Sequence, residues 1–200
     1  MQQNSPLSAM EPQGSSRPDS YLPDGADQYG VTITSQPDAG LLNLRTTAKA
    51  ELFRSAVGMT LPQTPNTVTN AGTRLAVWLG PDEYLLMVED EQTDQVTHAL
   101  SSVLAGQHYA LNTISDALAV YQLEGKAVRE VLSKGCSVDL HSSAFSAGQS
   151  FQSRLGHAGI TCICTAESSI TLICRYSFSD YVETWLKDAA TEYGYCLNKK

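Results

Sequence analysis

Asp139 and His141 stand one residue apart, so an extended segment would put both on one side with Leu140 on the other. A carboxylate that orients an imidazole is a component of an acid–base site, but the pair has no nucleophile to complete one. Bonding to backbone in a loop, or contact with a partner chain, is therefore the favoured reading over catalysis. Cys162 and Cys164 alternate on a β-rich run and share a face, the arrangement of half a thiolate metal site. Ile160, Ile163, Ile170, Leu172 and Ile173 surround them, and no second Cys or His pair lies at a recognised zinc spacing. Small buried hydrophobes are the stronger reading. Cys136 follows a predicted helix C-terminus, where the negative end of the macrodipole disfavours a thiolate. Lys134 beside it can neutralise the last carbonyls of that helix. Arg154, in a later strand, can pair with Asp139 across the loop or anchor a neighbouring subunit. His98 falls on the exposed side of its predicted helix, and His108 and His157 lie near turns. The chain carries no Gly-rich phosphate fingerprint, no P-loop, no His-Glu-x-x-His and no Gly-x-Ser-x-Gly. Catalysis by this chain alone has little support.

These residues need elements to hold them. Residues 1–28 are rich in Ser, Pro, Gln, Gly and Asp and cannot offset their ordering entropy, so they read as a disordered tail. Strands are expected from Tyr29 and from Leu41. A short helix follows over Ala48 to Val57, with Leu52 and Val57 on one face and Gly58 as its stop. Arg74 to Leu79 and Glu83 to Val88 form a hairpin across Gly80-Pro81-Asp82. Thr93 to Leu104 is an amphipathic helix in which Val96, Leu100, Val103 and Leu104 share a stripe. Strands return at Tyr109 to Ile114 and Ala117 to Leu123. Lys126 to Ser133 is a short helix with Val128, Val131 and Leu132 inward, and Gly135 stands where a left-handed cap is expected. Three strands close the pattern, Gln149 to Leu155, Ile160 to Thr165 and Ser169 to Arg175. A last helix carries Val182, Trp185, Leu186 and Ala189 on its core stripe, with Ser177 and Asp180 at capping-box spacing. This order predicts an α+β fold with antiparallel sheets and helices packed on one face. It does not alternate strand and helix as a dinucleotide fold does. Two lobes are expected, 29–114 and 115–200.

Charge and cysteine usage bound the partners. Through Glu124 the chain has 5 basic and 14 acidic residues (net −9), and from Lys126 onward 8 basic and 7 acidic (net +1). No concentrated basic face exists for phosphate, so nucleic acid is not expected as a partner. The run Asp82, Glu83, Glu89, Asp90, Glu91, Asp94 is a candidate docking face, although a solvated hairpin rim and helix start explain it as well. No apolar run reaches the ~20 residues of a membrane span, and no secretory leader is evident. Five cysteines, an odd number, fit reduced thiols in the cytoplasm better than a disulfide scaffold.

Three stretches carry a resemblance. They are Leu79-Gly-Pro-Asp-Glu-Tyr-Leu-Leu86, Lys134-Gly-Cys-Ser-Val-Asp-Leu-His141 continuing to Phe145, and Gln152-Ser-Arg-Leu-Gly156. Over about Arg74 to Gly194 the chain resembles the γ subunit family of heterotetrameric sarcosine oxidase. It departs from that pattern with Tyr84 for Trp, Ser142 for Pro and Ser153 for Thr. The resemblance implies two small α+β lobes like the folate-binding domain of glycine cleavage T-protein. It implies a non-catalytic subunit beside α, β and δ subunits that carry FAD, FMN, NAD, zinc and tetrahydrofolate, with none of these bound by this chain. The assembly it implies demethylates sarcosine oxidatively to glycine, forms hydrogen peroxide and passes the one-carbon unit to tetrahydrofolate. Lys134, Cys136, Asp139, His141 and Arg154 become the candidate subunit interface. A stand-alone folate-binding or one-carbon-transfer protein is the alternative, and a redox or metal protein built on the C-terminal cysteines a weaker third.

Overall fold

The computed structural model describes residues 19–199. The part of the expected tail up to residue 18 lies outside them. The strands are β1 (Ser20–Tyr21), β2 (Val31–Ser35), β3 (Ala39–Thr46), β4 (Val68–Ala71), β5 (Arg74–Gly80), β6 (Glu83–Glu89), β7 (Tyr109–Thr113), β8 (Leu118–Glu124), β9 (Ser150–Leu155), β10 (Ala158–Ala166), β11 (Ser169–Arg175) and β12 (Tyr195–Asn198). The helices are α1 (Arg54–Val57), α2 (Thr93–Val103), α3 (Val128–Ser133) and α4 (Ser179–Ala189).

The strands build a seven-stranded sheet, β1-β12-β2-β8-β11-β10-β9, and a five-stranded sheet, β4-β5-β6-β3-β7. Their pairing is antiparallel apart from β12, which runs parallel to β2. Period-two alternation lets each strand serve two layers. Leu41, Val77 and Leu85 of the smaller sheet meet Val120, Ile163 and Ile173 of the larger one in a shared apolar layer. On the opposite face of the smaller sheet, Leu42, Leu44 and Leu86 pack with Val57 of α1 and Val96 and Leu100 of α2. On the opposite face of the larger sheet, Cys162, Cys164 and Leu172 pack with Val131 and Leu132 of α3 and Val182 and Leu186 of α4. The α+β expectation holds, with one sheet backing the other and helices on the outer face of each.

Several expectations are corrected. The strands do not divide at 114/115: β2 joins the larger sheet between β12 and β8, because Val31 and Ile33 bury into the C-terminal core. Nor is all of 1–28 a tail, since Ser20 and Tyr21 pair with Cys196 and Tyr195, and Asp19 meets Lys187 at 2.8 Å. The helix expected over Ala48 to Val57 begins as a 3-10 turn at Ala50–Phe53. That tighter winding turns Phe53 inward and leaves Leu52 43% exposed. Gly58 does end it, at φ 80°. The Ser177 and Asp180 capping box is not made, because a 3-10 turn at Tyr176–Phe178 leads into α4 and no side chain caps it. Gly135 does not take the left-handed conformation. It is needed for another reason: a side chain there would run into the Trp185 ring.

Candidate functional site

The stretch from Lys134 to Phe145 leaves α3 and returns toward β9 as a loop held from inside. Leu140 and Phe145 are buried, and the Phe145 ring meets Phe151 of β9 edge-on at 4.8 Å. Burying those two side chains draws their carbonyls inward as well, and carbonyls away from water need donors. Arg129 of α3 supplies them. Its Nη1 donates to Leu140 O at 2.6 Å and Phe145 O at 2.8 Å, its Nε to Glu167 O at 2.9 Å, and its Nη2 to Cys164 Sγ at 3.4 Å. The guanidinium also lies 5.8 Å from the Phe145 ring centre. One side chain thus joins α3, the loop, β10 and the β10–β11 turn.

Asp139 and His141 do not form a dyad. Asp139 Oδ1 accepts the His141 N–H at 2.9 Å, the short-range turn an aspartate makes with backbone two residues on. His141 Nδ1 lies 2.8 Å from Ser143 Oγ and accepts the Ser143 N–H at 3.3 Å, while its carbonyl accepts from Ala144 and Phe145. Both residues are exposed. Lys134 reaches across to the end of α4, donating to Ala189 O, pairing with Glu192 and lying 4.8 Å from the Tyr193 ring centre. It neutralises a carbonyl of α4 instead of its own helix. Cys136 is buried in the helix-covered core. Arg154 is exposed on β9 and donates to His157 O at 3.4 Å, so the bridge to Asp139, one of the two alternatives for it, is not formed.

A groove of about 680 Å³ opens beside the loop. Lys126 and Arg129 line it together with Glu130, Asp139 and Glu167, so its walls carry charges of both signs. Cys162 and Cys164 lie in the core, and burial pushes the Cys162 thiol well above its ordinary range. Cys164 is raised by burial too, opposed by the Arg129 guanidinium. Burial followed by the nearby Glu183 carboxylate takes Cys174 up to about 11. These thiols are protonated at neutral pH and fill volume. Among the described residues no group of three or more His, Cys, Asp or Glu is placed to hold a metal ion. The acidic run is divided by the full length of β6, roughly 20 Å at ~3.3 Å per residue. Asp82 and Glu83 meet Arg45 at one end, while Glu89 and Gln92 bond to each other at the far end.

Arg129 is the residue that sequence reasoning passed over. Its signal was faint: a charged residue between buried Val128 and Val131 on a short helix, followed by apolar residues in a polar loop. Its bonding partners lie 11 to 38 positions away.

The two back-to-back sheets with helices outside define a class of fold. Aminomethyltransferase T of the glycine cleavage system from Bartonella henselae shares it, with a TM-score of 0.65, 10% identity, and coverage of 86% of this chain and 48% of that one. A closer likeness is to heterotetrameric sarcosine oxidase from Corynebacterium sp. U-96 in complex with pyrrole 2-carboxylate. There the TM-score is 0.77 at 28% identity, covering 84% of this chain and 87% of the matched chain. Sarcosine oxidase subunit gamma of Corynebacterium sp. (strain U-96) is 32% identical over 173 residues, 84% of this chain and 83% of its own length. Subunit gamma from Arthrobacter sp. is 32% identical over 140 residues, 70% of this chain and 68% of its own length. The model of the sarcosine oxidase, gamma subunit family matches residues 44–192, beginning ahead of Arg74, where the resemblance read from the sequence starts. The chain belongs to the sarcosine oxidase gamma subunit family.

Proposed function

We propose that the chain is a non-catalytic gamma subunit of a heterotetrameric, flavin-dependent sarcosine oxidase. In this reading the assembly converts sarcosine to glycine with formation of hydrogen peroxide and tetrahydrofolate-linked one-carbon transfer. FAD, FMN, NAD, zinc and tetrahydrofolate belong to the α, β and δ subunits, which are this chain's partners, and the assembly works in the cytoplasm. The observation that carries the proposal is the likeness, over most of both chains, to gamma subunits and to a chain of a heterotetrameric sarcosine oxidase. The chemistry of the motif supports it. Asp139 and the Nδ1 atom of His141 are spent on backbone N–H groups of their own loop, an arrangement that builds a rigid surface and leaves no paired acid and base. Exposed Lys134, Asp139, His141 and Arg154 are the interface residues of this reading, with buried Cys136 holding the surface from behind. The likeness to aminomethyltransferase T carries fold and no activity at that identity.

Co-expression with the flavin-binding and zinc-binding subunits, followed by size-exclusion chromatography, tests the proposal. The expected result is a single complex containing all chains in equal ratio. A stable monomer that ignores those subunits at micromolar concentration would overturn it.

A further inference from the structure

β9 is the outermost strand of the seven-stranded sheet. Its register with β10 and the bond from Cys164 N to Gln149 O direct the backbone of Phe151, Ser153 and Leu155 toward β10. The N–H and C=O groups of Gln152 and Arg154 therefore point away from the sheet. Both ends of this outer lane are filled. Ser150 N donates to Asn66 O at 2.8 Å, and Gly156 N donates to Gly135 O at 3.1 Å. Between these stops the outward groups of Gln152 and Arg154 have no backbone partner among the described residues. The Arg154 side chain is exposed there, its one described bond a long one, 3.4 Å, to His157 O within the adjoining turn.

We infer that this window on β9 receives a short extended segment of a partner subunit, which adds to the sheet through the Gln152 and Arg154 backbone and places an acidic side chain against Arg154. This rests on the reading of the chain as a subunit. Three features select the occupant. A row of alternating N–H and C=O groups is completed by extended backbone, the chemistry of strand addition. The lane between Asn66 and Gly135 has room for about three or four residues at ~3.3 Å each, which admits a stretch of loop or tail but no long strand. A second copy of β9 is excluded, since it would bring its own Asn66 and Gly135 into the lane that the first strand occupies. The exposed Arg154 guanidinium then sets the charge of the incoming segment at its own position, while Glu83 and Arg175 offset each other in the cavity beside Gln152. The smaller sheet's edge strand β7 carries no charged residue between Tyr109 and Thr113.

A proline at an outward position of an edge strand removes only an unused N–H, whereas at an inward position it removes a ladder bond. Gln152→Pro should thus fold, and should associate with the co-expressed flavin-binding and zinc-binding subunits at least about tenfold more weakly. Gln152→Ala, which loses only the side-chain bond to Leu79 O, should associate as wild type. Arg154→Glu should weaken association by about three- to tenfold, less so at high salt. Amide hydrogen exchange on the wild-type chain keeps the test independent of the variants' folding. The Gln152 and Arg154 amides should exchange freely in the isolated chain and become protected in the complex. Unchanged exchange at those two amides, new protection at Leu111 and Thr113 of β7 instead, or wild-type association of folded Gln152→Pro would overturn the edge while leaving the subunit reading intact. A wild-type chain that does not associate at all would overturn both.

Discussion

The loop from Lys134 to Phe145 and the acidic run from Asp82 to Asp94 both stand out in the sequence as surfaces for a partner, and they are built in opposite ways. The loop hides its apolar members, Leu140 and Phe145, and ties their carbonyls to one guanidinium. Its exposed residues are therefore carried on a fixed frame. The acidic run has no such frame: β6 separates its two ends, and its carboxylates meet Arg45, Asn43 and Gln92 at the surface. Contiguity in sequence made neither surface. Buried anchors made one of them rigid.

If the loop owes its shape to Arg129, Arg129→Ala should have the largest effect, because it strands the two buried loop carbonyls, Leu140 O and Phe145 O, as well as Glu167 O, none of which has another described donor. A loss of about 3 kcal/mol is expected, read as a fall in melting temperature of roughly 6 to 12 °C. A fall of a degree or two would mean that water or neighbouring groups replace the guanidinium, and the contrast with the acidic run would weaken. Gly135→Ala comes next. Its methyl group would meet the Trp185 ring, at a cost of about 1 to 3 kcal/mol. Combining it with Trp185→Leu should cost less than the sum of the single changes; strict additivity would show that the two residues do not oppose each other.

Asp139→Ala should cost about 1 kcal/mol by leaving the His141 N–H without its acceptor. His141→Ala should cost no more than this, and chemical denaturation of both variants checks the pair. A smaller, pH-dependent effect belongs to Glu192, whose carboxyl is held below its ordinary value of 4.5 chiefly by the hydrogen bond from Lys134. A depressed carboxylate stabilises the fold above its unfolded value, and the contribution is lost as pH falls through the lowered folded value. Glu192→Gln should therefore melt below wild type at neutral pH, with the difference closing as pH falls below the ordinary value of 4.5 and on through the lowered one. A difference that persists at low pH would assign it to packing. The smallest effect is expected in the acidic run. Asp82→Asn and Glu83→Gln should each change stability by less than about 0.5 kcal/mol, since Arg45 is exposed, the two carboxylates are only half-buried and the pairs are long at 3.6 and 3.9 Å. A larger loss would give that surface the frame it is said to lack.

Local patterning was enough for most elements. The Val96, Leu100 and Leu104 stripe, the hairpin across Pro81, the three strands from Ser150 to Arg175 and the end of α1 at Gly58 were all legible, because apolar periodicity and turn chemistry act within a few residues. β4 and β12 were not legible, being four-residue runs that become strands only where a neighbouring strand accepts their backbone. The resemblance, too, was readable from three short motifs. Their physical meaning was not. That Asp139 turns backbone, that Gly135 makes room for Trp185 and that Arg129 holds the loop all depend on groups far apart in the chain.

By itself, then, the sequence determined the α+β class, the hydrophobic faces and the family, since each is written in residues close together or in fixed order. Tertiary structure alone decided which sheet β2 joins, which residue replaces Leu52 in the core, and which edge of the larger sheet stays open between Asn66 and Gly135. Those outcomes turn on burial and hydrogen-bond satisfaction across the whole molecule, where a strand or a side chain takes the place that removes most apolar surface from water and leaves fewest buried polar groups unpaired.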